Sequence, residues 1–587
     1  MPATIHRFRA AVLLIGFLAF SATAAHAQRK PPAAKLDAAL SASIRAGQAD
    51  TAQVIIRTTP NGTIGLTNAL AAGGHQIVRV HSIINAITAR VPVQALEGLS
   101  RNPFVEHIST DATVKASQTS STTSTLRGTL GLTAQSLTGI GVVVAVIDSG
   151  LAPSAEFDNR IIGFYDFTHN NGRSAPASDE YGHGTHVAGL IAGNGTQSGN
   201  LYRGVAPNAR LVGFKVLDEN GAGTTSDVIN AIEYITRHND HLGVDIINLS
   251  LGHPIFEAAA TDPLVQAVEA AVAQGIVVVA SAGNYGVSPV TGLPGYAGIL
   301  SPGNAPSAIT VGAEKSFDTN NRTDDRVAVY SSRGPTWYDA TAKPDLVAPG
   351  HGLVAAAATS STLYVNNPSI RVGDSYMRLS GTSMAAAVVT GTAALVIRAH
   401  RLQFPSADPL TPNAVKAILQ YTALTVRDDQ GAPYDVLTQG AGSVNAAGAI
   451  DLASHIDASQ PLASSWLTSV LNPWTTIDNQ TLPWVNTVVW GDASSDGPVL
   501  SYSEIAWTTN IVWGSNIVWG SNIVWCINIV WGSNIVWGSN IVWGNALIGA
   551  SDGSATSWGQ AAGDSSLTAW GSLDGSTASN GLVLTAP

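Results

Sequence analysis

Cysteine is almost missing from this sequence: Cys526 is the single one among 587 residues. No intramolecular disulfide can form, so stability must come from packing, hydrogen bonds or bound ions. Charged residues are also few, at 12%, and no Lys/Arg cluster stands out against a net charge of -11. The chain therefore lacks the basic patch of nucleic-acid-binding proteins, and we expect no nucleic-acid partner.

Long apolar runs are missing beyond the N-terminus. Arg7 and Arg9 precede an apolar stretch at 10–23, and Ala25-His26-Ala27 supplies a small-x-small cleavage pattern. This order predicts a signal peptide at 1–27, because the stretch is short for a spanning helix; an uncleaved anchor is the alternative. No later run reaches the roughly 20 apolar residues of a membrane span. We expect a secreted or extracellular protein.

The composition is that of a glycine-rich globular protein, and the length predicts two or three folded units. Short β-branched runs at 53–57, 76–80, 86–91 and 105–109 alternate with helical patterns at 64–72 and 93–100. They predict a small α+β domain at 50–112 with the split β-α-β-β-α-β order. Its polar lead at 28–50 is expected to be flexible. Ser/Thr-rich sequence at 116–125 follows, of a composition that resists packing and is open to proteases.

A larger domain is predicted at 126–455, where strand and helix patterns alternate. Near-continuous β-branched runs at 141–148, 211–217, 244–251 and 275–283 are typical of strands buried on both faces. Helical patterns lie between them, for example at 225–238 and 263–274. The alternation indicates an α/β fold in three layers, a parallel sheet with helices on both faces.

The C-terminal part changes character. Residues 456–506 contain scattered Pro and Trp and are interpreted as a linker, and 507–545 hold six copies of Asn-Ile-Val-Trp at a period of six. The repeat predicts a β-rich tail of stacked short strands, ahead of a Gly/Ser-rich end at 546–587. Two interpretations stay open: a self-packing stalk, or a module that binds a surface or another chain. Cys526 interrupts the repeat and could pair between chains.

Three residues invite a catalytic interpretation. Asp148 ends an apolar strand, at the edge where parallel sheets gather ligands, although such an Asp is often a cap or turn former. His183 lies in GHGTHVAG; with His186 it could hold a metal, but no acidic ligand pattern follows, and a general base fits better. Ser383, in LSGTSMAA, opens a helical pattern, where an N-cap serine is the common alternative.

Together these motifs resemble those of the subtilisin family, or subtilases. VVVAVIDSG, HGTHVAG and GTSMA occur in the family's order, and SAGN, SSRGP and KPDLVAPG also look like the family, over residues 139 to about 452. The resemblance implies a serine endopeptidase with Asp148, His183 and Ser383 as its triad. Ala387 and Val388 depart from the family pattern, outside the triad.

The resemblance also implies roles for further residues. Asn284, otherwise a turn residue, would bind the oxyanion together with the Ser383 backbone N–H. The rest would contact an extended peptide. The expected substrate edges are Ser250, Leu251, Gly252, Gly221, Ala222 and Gly223, and the expected pocket lining, which predicts an apolar preference, is Ala280, Ser281, Ala282 and Gly283.

By the same resemblance, residues 50–112 look like an inhibitory propeptide, removed by self-cleavage within 116–125. Expected partners are protein or peptide substrates and the chain's own propeptide. The chemistry requires no cofactor; structural calcium is an expectation, with 194–200 as a candidate loop. The alternatives are a general esterase, a catalytically silent peptide-binding protein and a surface-attachment protein.

Overall fold

The computed structural model describes residues 35–47, 50–115, 125–169, 172–287, 293–460, 466–469 and 471–490, with the backbone of three short strands beyond them. The expected signal peptide, the hexapeptide repeats with Cys526 and nearly all of the 116–125 segment lie outside the described residues.

The N-terminal unit is an antiparallel sheet in the order β2-β3-β1-β4. Its elements are α1 (Ala38–Arg45), β1 (Thr51–Thr58), α2 (Thr63–Ala72), β2 (Gln76–His81), β3 (Ala86–Pro92), α3 (Val93–Ser100) and β4 (Val105–Thr110). The β-α-β-β-α-β order is the predicted one. Helix α1 was not expected, because its segment resembled a flexible lead; the Asp37 side chain caps it by accepting from Leu40 N at 2.7 Å.

The main domain is built on a nine-stranded, mostly parallel sheet in the order β15-β14-β12-β11-β6-β9-β7-β8, with β16 paired to β14. Its first half, with the preceding short strand, comprises β5 (Thr113–Lys115), α4 (Leu126–Thr129), β6 (Val143–Asp148), β7 (Ile161–Asp166), β8 (Arg173–Ser174), α5 (His183–Ala192), β9 (Arg210–Lys215), β10 (Ala222–Thr224), α6 (Thr225–Leu242), β11 (Ile246–Leu249), α7 (Pro263–Ala273) and β12 (Val277–Ser281).

The second half carries the long helix that closes the domain. Its elements are β13 (Gly295–Tyr296), β14 (Ile309–Lys315), β15 (Arg326–Val327), β16 (Leu346–Pro349), β17 (Leu353–Ala356), α8 (Thr362–Asn366), β18 (Arg371–Val372), β19 (Tyr376–Leu379), α9 (Thr382–Gln403), α10 (Pro412–Tyr421), α11 (Val436–Gln439) and α12 (Ala446–Ala453). The edge strands β8 and β15 run antiparallel to their neighbours.

Alternate residues of the central strand face opposite cores, as the β-branched runs predicted. Val144 and Val146 of β6 belong to the cluster shared with α5 and α9, whereas Ala145 and Ile147 belong to the cluster shared with α6 and α7. Each face of the sheet is therefore covered by helices, and the three-layer α/β fold is confirmed.

The segment interpreted as a linker is folded where the structure describes it. It forms β20 (Trp474–Ile477), β21 (Gln480–Pro483), β22 (Thr487–Trp490) and β23 (Ala493–Asp496). Trp466 and Trp484 lie in the main hydrophobic cluster, and Gln420 exchanges two hydrogen bonds with the Val489 backbone, at 2.9 and 3.0 Å. These scattered tryptophans follow neither a strand nor a helix pattern, but they pack against the main domain. The folded domain therefore continues past residue 455. Two last strands, β24 (Thr568–Gly571) and β25 (Leu582–Thr585), pair with each other.

Helix α9 departs from the expectation that no segment beyond the N-terminus is long and apolar enough to span a membrane. Among the described residues it is the one helix long and apolar enough to cross a membrane by length and composition. Its most apolar window is, however, 94% buried within the protein. Helix α9 is therefore apolar all round because it runs through the core between neighbouring elements.

Candidate active site

The candidate residues meet at the carboxyl edge of the parallel sheet. Asp148 is the last residue of β6, and β6 pairs in parallel with β11 so that Ile147 lies opposite Leu249. Ser250 therefore follows β11 at the level of Asp148, one strand spacing away. His183 is the first residue of α5, and Ser383 the second residue of α9. Four chain segments thus bring their ends to one edge, as doubly covered parallel sheets do at ligand sites.

Asp148 and His183 form a buried pair. His183 Nδ1 lies 2.7 Å from Asp148 Oδ1, and both side chains are fully excluded from solvent. The same carboxylate oxygen also accepts from Ser149 N at 2.7 Å. A proton on Nδ1 shared with the carboxylate leaves His183 Nε2 as an acceptor, and within the described part of the chain Nε2 has no hydrogen-bond partner.

Ser383 is tied to Ser250 by two reciprocal hydrogen bonds. Ser383 Oγ donates to the Ser250 carbonyl at 3.0 Å, and Ser250 Oγ donates to the Ser383 carbonyl at 2.9 Å. In this structure the Ser383 hydroxyl therefore donates its hydrogen bond to the Ser250 carbonyl and not to His183 Nε2. Nucleophile-to-base hydrogen bonds are often absent or long without substrate, because they tighten only in the reacting complex.

Asn284 is oriented by Thr382, a residue that the sequence motifs did not single out. Asn284 Oδ1 accepts from both Thr382 N and Thr382 Oγ1, each at 3.0 Å. A backbone N–H can only donate, so the atom facing it must be the amide oxygen. The Nδ2 group of Asn284 is then left as the donor to a ligand, beside the start of α9.

The same threonine fixes the expected pocket lining. Thr382 Oγ1 accepts from Gly283 N at 3.1 Å, immediately after Ala280, Ser281 and Ala282, which are buried. Gly283 has φ of +105°, and a Cβ there would lie 2.7 Å from Leu300 Cγ, so a side chain is excluded on two grounds. The pocket turn and Asn284 are thereby held in register with Ser383.

One of the two expected substrate edges already carries a strand. Residues 113–115 pair antiparallel with β10, in the register Thr113 to Thr224, Val114 to Gly223 and Lys115 to Ala222. The Val114 side chain is fully buried in the cluster that also holds Leu251. Ala222 and Gly223 therefore pair with an extended chain, whereas Gly221 lies just before the paired residues. At the other edge Gly252 lies against Ser301, whose carbonyl would be 2.7 Å from a Cβ at residue 252.

Two places were candidates for a metal ion: the histidine pair His183 and His186, and the loop 194–200. His186 Nε2 is hydrogen-bonded to the Leu353 carbonyl at 3.0 Å, and burial lowers the pKa of His186 to about 3. At the loop 194–200, Glu156 accepts from Gly195 N at 2.7 Å and Gln197 N at 2.8 Å. In this structure the Glu156 carboxylate therefore holds the loop by accepting from its backbone N–H groups, and the calcium expectation for this loop stays a prediction. Across the residues described, no cluster of three or more His, Cys, Asp or Glu side chains could hold a metal ion.

Sequence motifs also missed the groups around Asp148. Asp179, four residues before His183, is buried and contacts Ser149, and Lys215 Nζ donates to the Ser149 carbonyl at 2.8 Å. The one available signal was the position of Asp179 in SDEYGHG, just ahead of the histidine motif.

Comparison with known proteins finds one matching family and a set of related proteases. Residues 139–447, more than half of the chain, match the Subtilase family, Peptidase S8. The serine protease AprX of Bacillus subtilis is 38% identical over 369 residues, which cover 62% of this chain and 78% of AprX. Subtilisin E of Bacillus subtilis is 35% identical over 335 residues, 57% of this chain and 76% of its own length.

A solved structure shares the fold. Fervidolysin from Fervidobacterium pennivorans, a keratinolytic enzyme related to subtilisin, aligns with a TM-score of 0.54 at 21% identity, covering 69% of this chain and 61% of fervidolysin. At that identity the likeness concerns the fold alone.

Proposed function

Since the chain belongs to the subtilase family and is a subtilisin-like serine endopeptidase, we propose that Asp148, His183 and Ser383 are its catalytic triad. The observation that carries the proposal is the buried Asp148–His183 pair at 2.7 Å, with Ser383 hydrogen-bonded to Ser250, which directly follows the strand beside Asp148. Protein or peptide chains are the substrates.

The hydrogen bond between Ser383 and the Ser250 carbonyl must break before Ser383 can react, and a bound substrate would break it. A peptide chain laid along residues 250–252 would donate a backbone N–H to the Ser250 carbonyl, the group that now accepts from Ser383. Ser383 Oγ–H would then turn to the unpartnered Nε2 of His183. The hydroxyl becomes a competent nucleophile only with that base beside it.

The remaining steps follow from the same groups. Ser383 Oγ attacks the scissile carbonyl carbon while its proton passes to His183 Nε2, and Asp148 stabilises the imidazolium through Nδ1–H. Asn284 Nδ2 and the Ser383 backbone N–H donate to the oxyanion. The Nε2 proton then passes to the leaving amine, and water, deprotonated by His183, releases the acyl group from Ser383. No cofactor takes part in these steps.

We infer that residues 50–112 act as an inhibitory propeptide and that the enzyme is made as a zymogen. The support is the strand 113–115 on β10, which puts the chain's own peptide where a substrate strand would pair. Cleavage within 116–125, next to that strand, would leave the N-terminal unit bound but no longer attached.

Contacts between the N-terminal unit and the helices of the main domain support this role. Ile55 and Ala86 share one hydrophobic cluster with Ile232 and Val268 of α6 and α7. Asp111 accepts from Ser226 N at 2.8 Å and Ser226 Oγ at 2.6 Å, in the first turn of α6. A carboxylate at a helix N-terminus satisfies free N–H groups and favours the helix dipole.

We further propose that the protein is secreted through its N-terminal 27 residues and that the repeats at 507–545 attach it to a surface or to another chain. Both segments lie outside the described residues, and their composition supports these proposals. Structural calcium, with 194–200 as the candidate loop, also stays a proposal.

The test is a paired expression of wild type and Ser383→Ala, read by intact mass and by casein digestion. We expect the wild type to lose its N-terminal segment and digest casein, and Ser383→Ala to do neither beyond a residual of about 10³ to 10⁴ over water. Ser454→Ala, a serine whose hydroxyl donates to the Ile450 carbonyl on α12, is the control and should behave as wild type. Equal digestion by wild type and Ser383→Ala would refute Ser383 as the nucleophile, and silence of both would favour a peptide-binding relative.

A further inference from the structure

Asp179 occupies the loop between β8 and α5, and all of its hydrogen bonds go to the surroundings of Asp148 and His183. It is 5% exposed. Oδ1 accepts from Ser149 Oγ at 2.8 Å and from Gly182 N at 2.7 Å. Oδ2 accepts from Thr185 N at 2.8 Å and from Thr185 Oγ1 at 2.6 Å. Each oxygen thus takes two donors, which is the full capacity of an ionised carboxylate.

These bonds join the two halves of the Asp148–His183 pair. Ser149 follows Asp148 directly, and its N–H donates to Asp148 Oδ1 at 2.7 Å. Gly182 and Thr185 flank His183 at the start of α5. Ser149 Oγ completes the link by accepting from Gly184 N at 3.0 Å. One buried carboxylate therefore sets the position of the segment behind Asp148 and of the helix end that carries His183.

The start of α5 and the end of β6 are closely packed against each other. A Cβ at Gly184 would lie 2.1 Å from the Gly150 carbonyl oxygen and 3.0 Å from Asp148 Cβ, so the start of α5 is pressed against the end of β6. Lys215 Nζ holds the same segment from the opposite side through the Ser149 and Leu217 carbonyls, both at 2.8 Å. A change in the Asp179 bonds is therefore expected to reach both Asp148 and His183.

We propose that Asp179 is a positioning residue for the Asp148–His183 pair: its four hydrogen bonds fix the distance and angle at which the Asp148 carboxylate meets His183 Nδ1. The inference rests on the proposed triad. Burial raises the pKa of Asp179, and the hydrogen bonds from Thr185, Gly182 and Ser149 oppose that rise.

Asp179→Asn is the informative variant because it keeps the shape and removes one acceptor oxygen. Whichever way the amide turns, its NH₂ group must face a backbone N–H, which can only donate, and a hydroxyl that can no longer donate to it. We expect kcat to fall about 10- to 100-fold, as when a small misplacement reaches the reacting groups, with KM changed by less than about threefold. Active-site titration with a sulfonyl fluoride corrects these values for inactive protein.

The pH profile separates positioning from a loss of stability. A looser Asp148 stabilises the His183 cation less, so the acid limb of kcat/KM should move to lower pH in Asp179→Asn. The matched control is Asp262→Asn, another buried aspartate at a helix start, which accepts from Leu264 N at 2.9 Å on α7, a helix without candidate site residues. If both variants lose stability and both keep the wild-type acid limb, Asp179 has no positioning role.

A second measurement does not depend on self-processing. In the full chain carrying Ser383→Ala, the His183 Nδ1 proton shared with Asp148 is read by its strongly deshielded proton resonance. Adding Asp179→Asn should shift or broaden that resonance, and adding Asp262→Asn should not; an unchanged resonance with Asp179→Asn overturns the inference. Failure of the proposed function shows instead in the wild type, as hydrolysis that does not require Ser383, whatever Asp179 does.

Discussion

At the scale of single residues, Asn284 carries the sharpest kinetic prediction. Two donors of Thr382 anchor its Oδ1, so the side chain is already oriented with Nδ2 toward the site before the reaction begins. Asn284→Leu should lower kcat by about 10² to 10³ with little change in KM, because the lost donor matters only once the oxyanion forms.

Steady-state kinetics on a short peptide decides the point. Thr382→Ser, which keeps both anchoring donors, is the matched control and should retain most of the activity. A rise in KM at constant kcat in Asn284→Leu would instead assign Asn284 to ground-state binding.

The sequence predicted some of these residues and not others for a physical reason. Asp148, His183, Ser383 and Asn284 could be predicted because short motifs surround each of them. Thr382 contacts Asn284 across 98 positions of the chain. A hydrogen bond of that span leaves no periodicity in the sequence, so the contacts of Thr382 and Lys215 are seen only in the folded chain, and Asp179 had no signal beyond its place ahead of the histidine motif.

At the scale of elements, the short strand β5 connects inhibition with recognition. The Val114 side chain is fully buried beside the substrate edge, whereas neighbouring Thr113 is exposed. Val114→Asp would bury an unpaired carboxylate, which costs about 1 to 3 kcal/mol or more, and should displace β5 from β10.

Under the proposed zymogen scheme, Val114→Asp should slow the removal of the N-terminal segment, followed by intact mass over time. Thr113→Asp puts the same charge on the exposed side of the same strand and is the control, expected to process at the wild-type rate. Equal rates for the two variants would show that the Val114 side chain does not seat the segment.

Strand β5 also shows which elements sequence patterns can predict. The runs at 141–148 and 275–283 predicted β6 and β12, because strands buried on both faces require long β-branched stretches. A three-residue strand such as β5 has no such stretch. Its pairing with β10, like the packing of Trp466 and Trp484 on the main domain, depends on tertiary contacts.

At the scale of the whole molecule, a cluster of acids lies between the N-terminal unit and the main domain. Burial, and next the nearby Glu257 carboxylate, raise the pKa of Asp37 to about 6. Glu257 Oε2 also lies 2.7 Å from His107 Nε2, and burial and the Asp37 charge raise the pKa of Tyr338 to about 12. The Asp37 carboxyl of the N-terminal unit is therefore buried beside a second carboxylate, Glu257, of the main domain.

This cluster predicts that the two units bind less tightly as pH rises. A carboxyl whose pKa is raised in the bound state takes up a proton on binding, so its contribution is full below about pH 4 and is lost as pH rises through about 6. After self-cleavage, the N-terminal fragment should therefore co-elute with the peptidase at pH 5 and separate from it at pH 7.5 in gel filtration.

Asp37→Asn is the control for the pH effect. It removes the titrating carboxyl and keeps an oxygen that can accept from Leu40 N, the cap of α1. The difference between the two elution profiles should shrink in this variant. Tighter retention at pH 7.5 than at pH 5 in the wild type would contradict the predicted sign.

The seating of residues 113–115 on β10 also makes occupation of the cleft a question of concentration. While the chain is continuous, the strand reaches β10 at the fixed effective concentration of an intramolecular ligand, and dilution cannot empty the edge. A single cut within 116–125 makes the same contact bimolecular, so that its occupancy falls as the protein spreads into a larger volume. Dilution after export would then release the strand and switch the enzyme on, although the strength of the contact itself is unchanged.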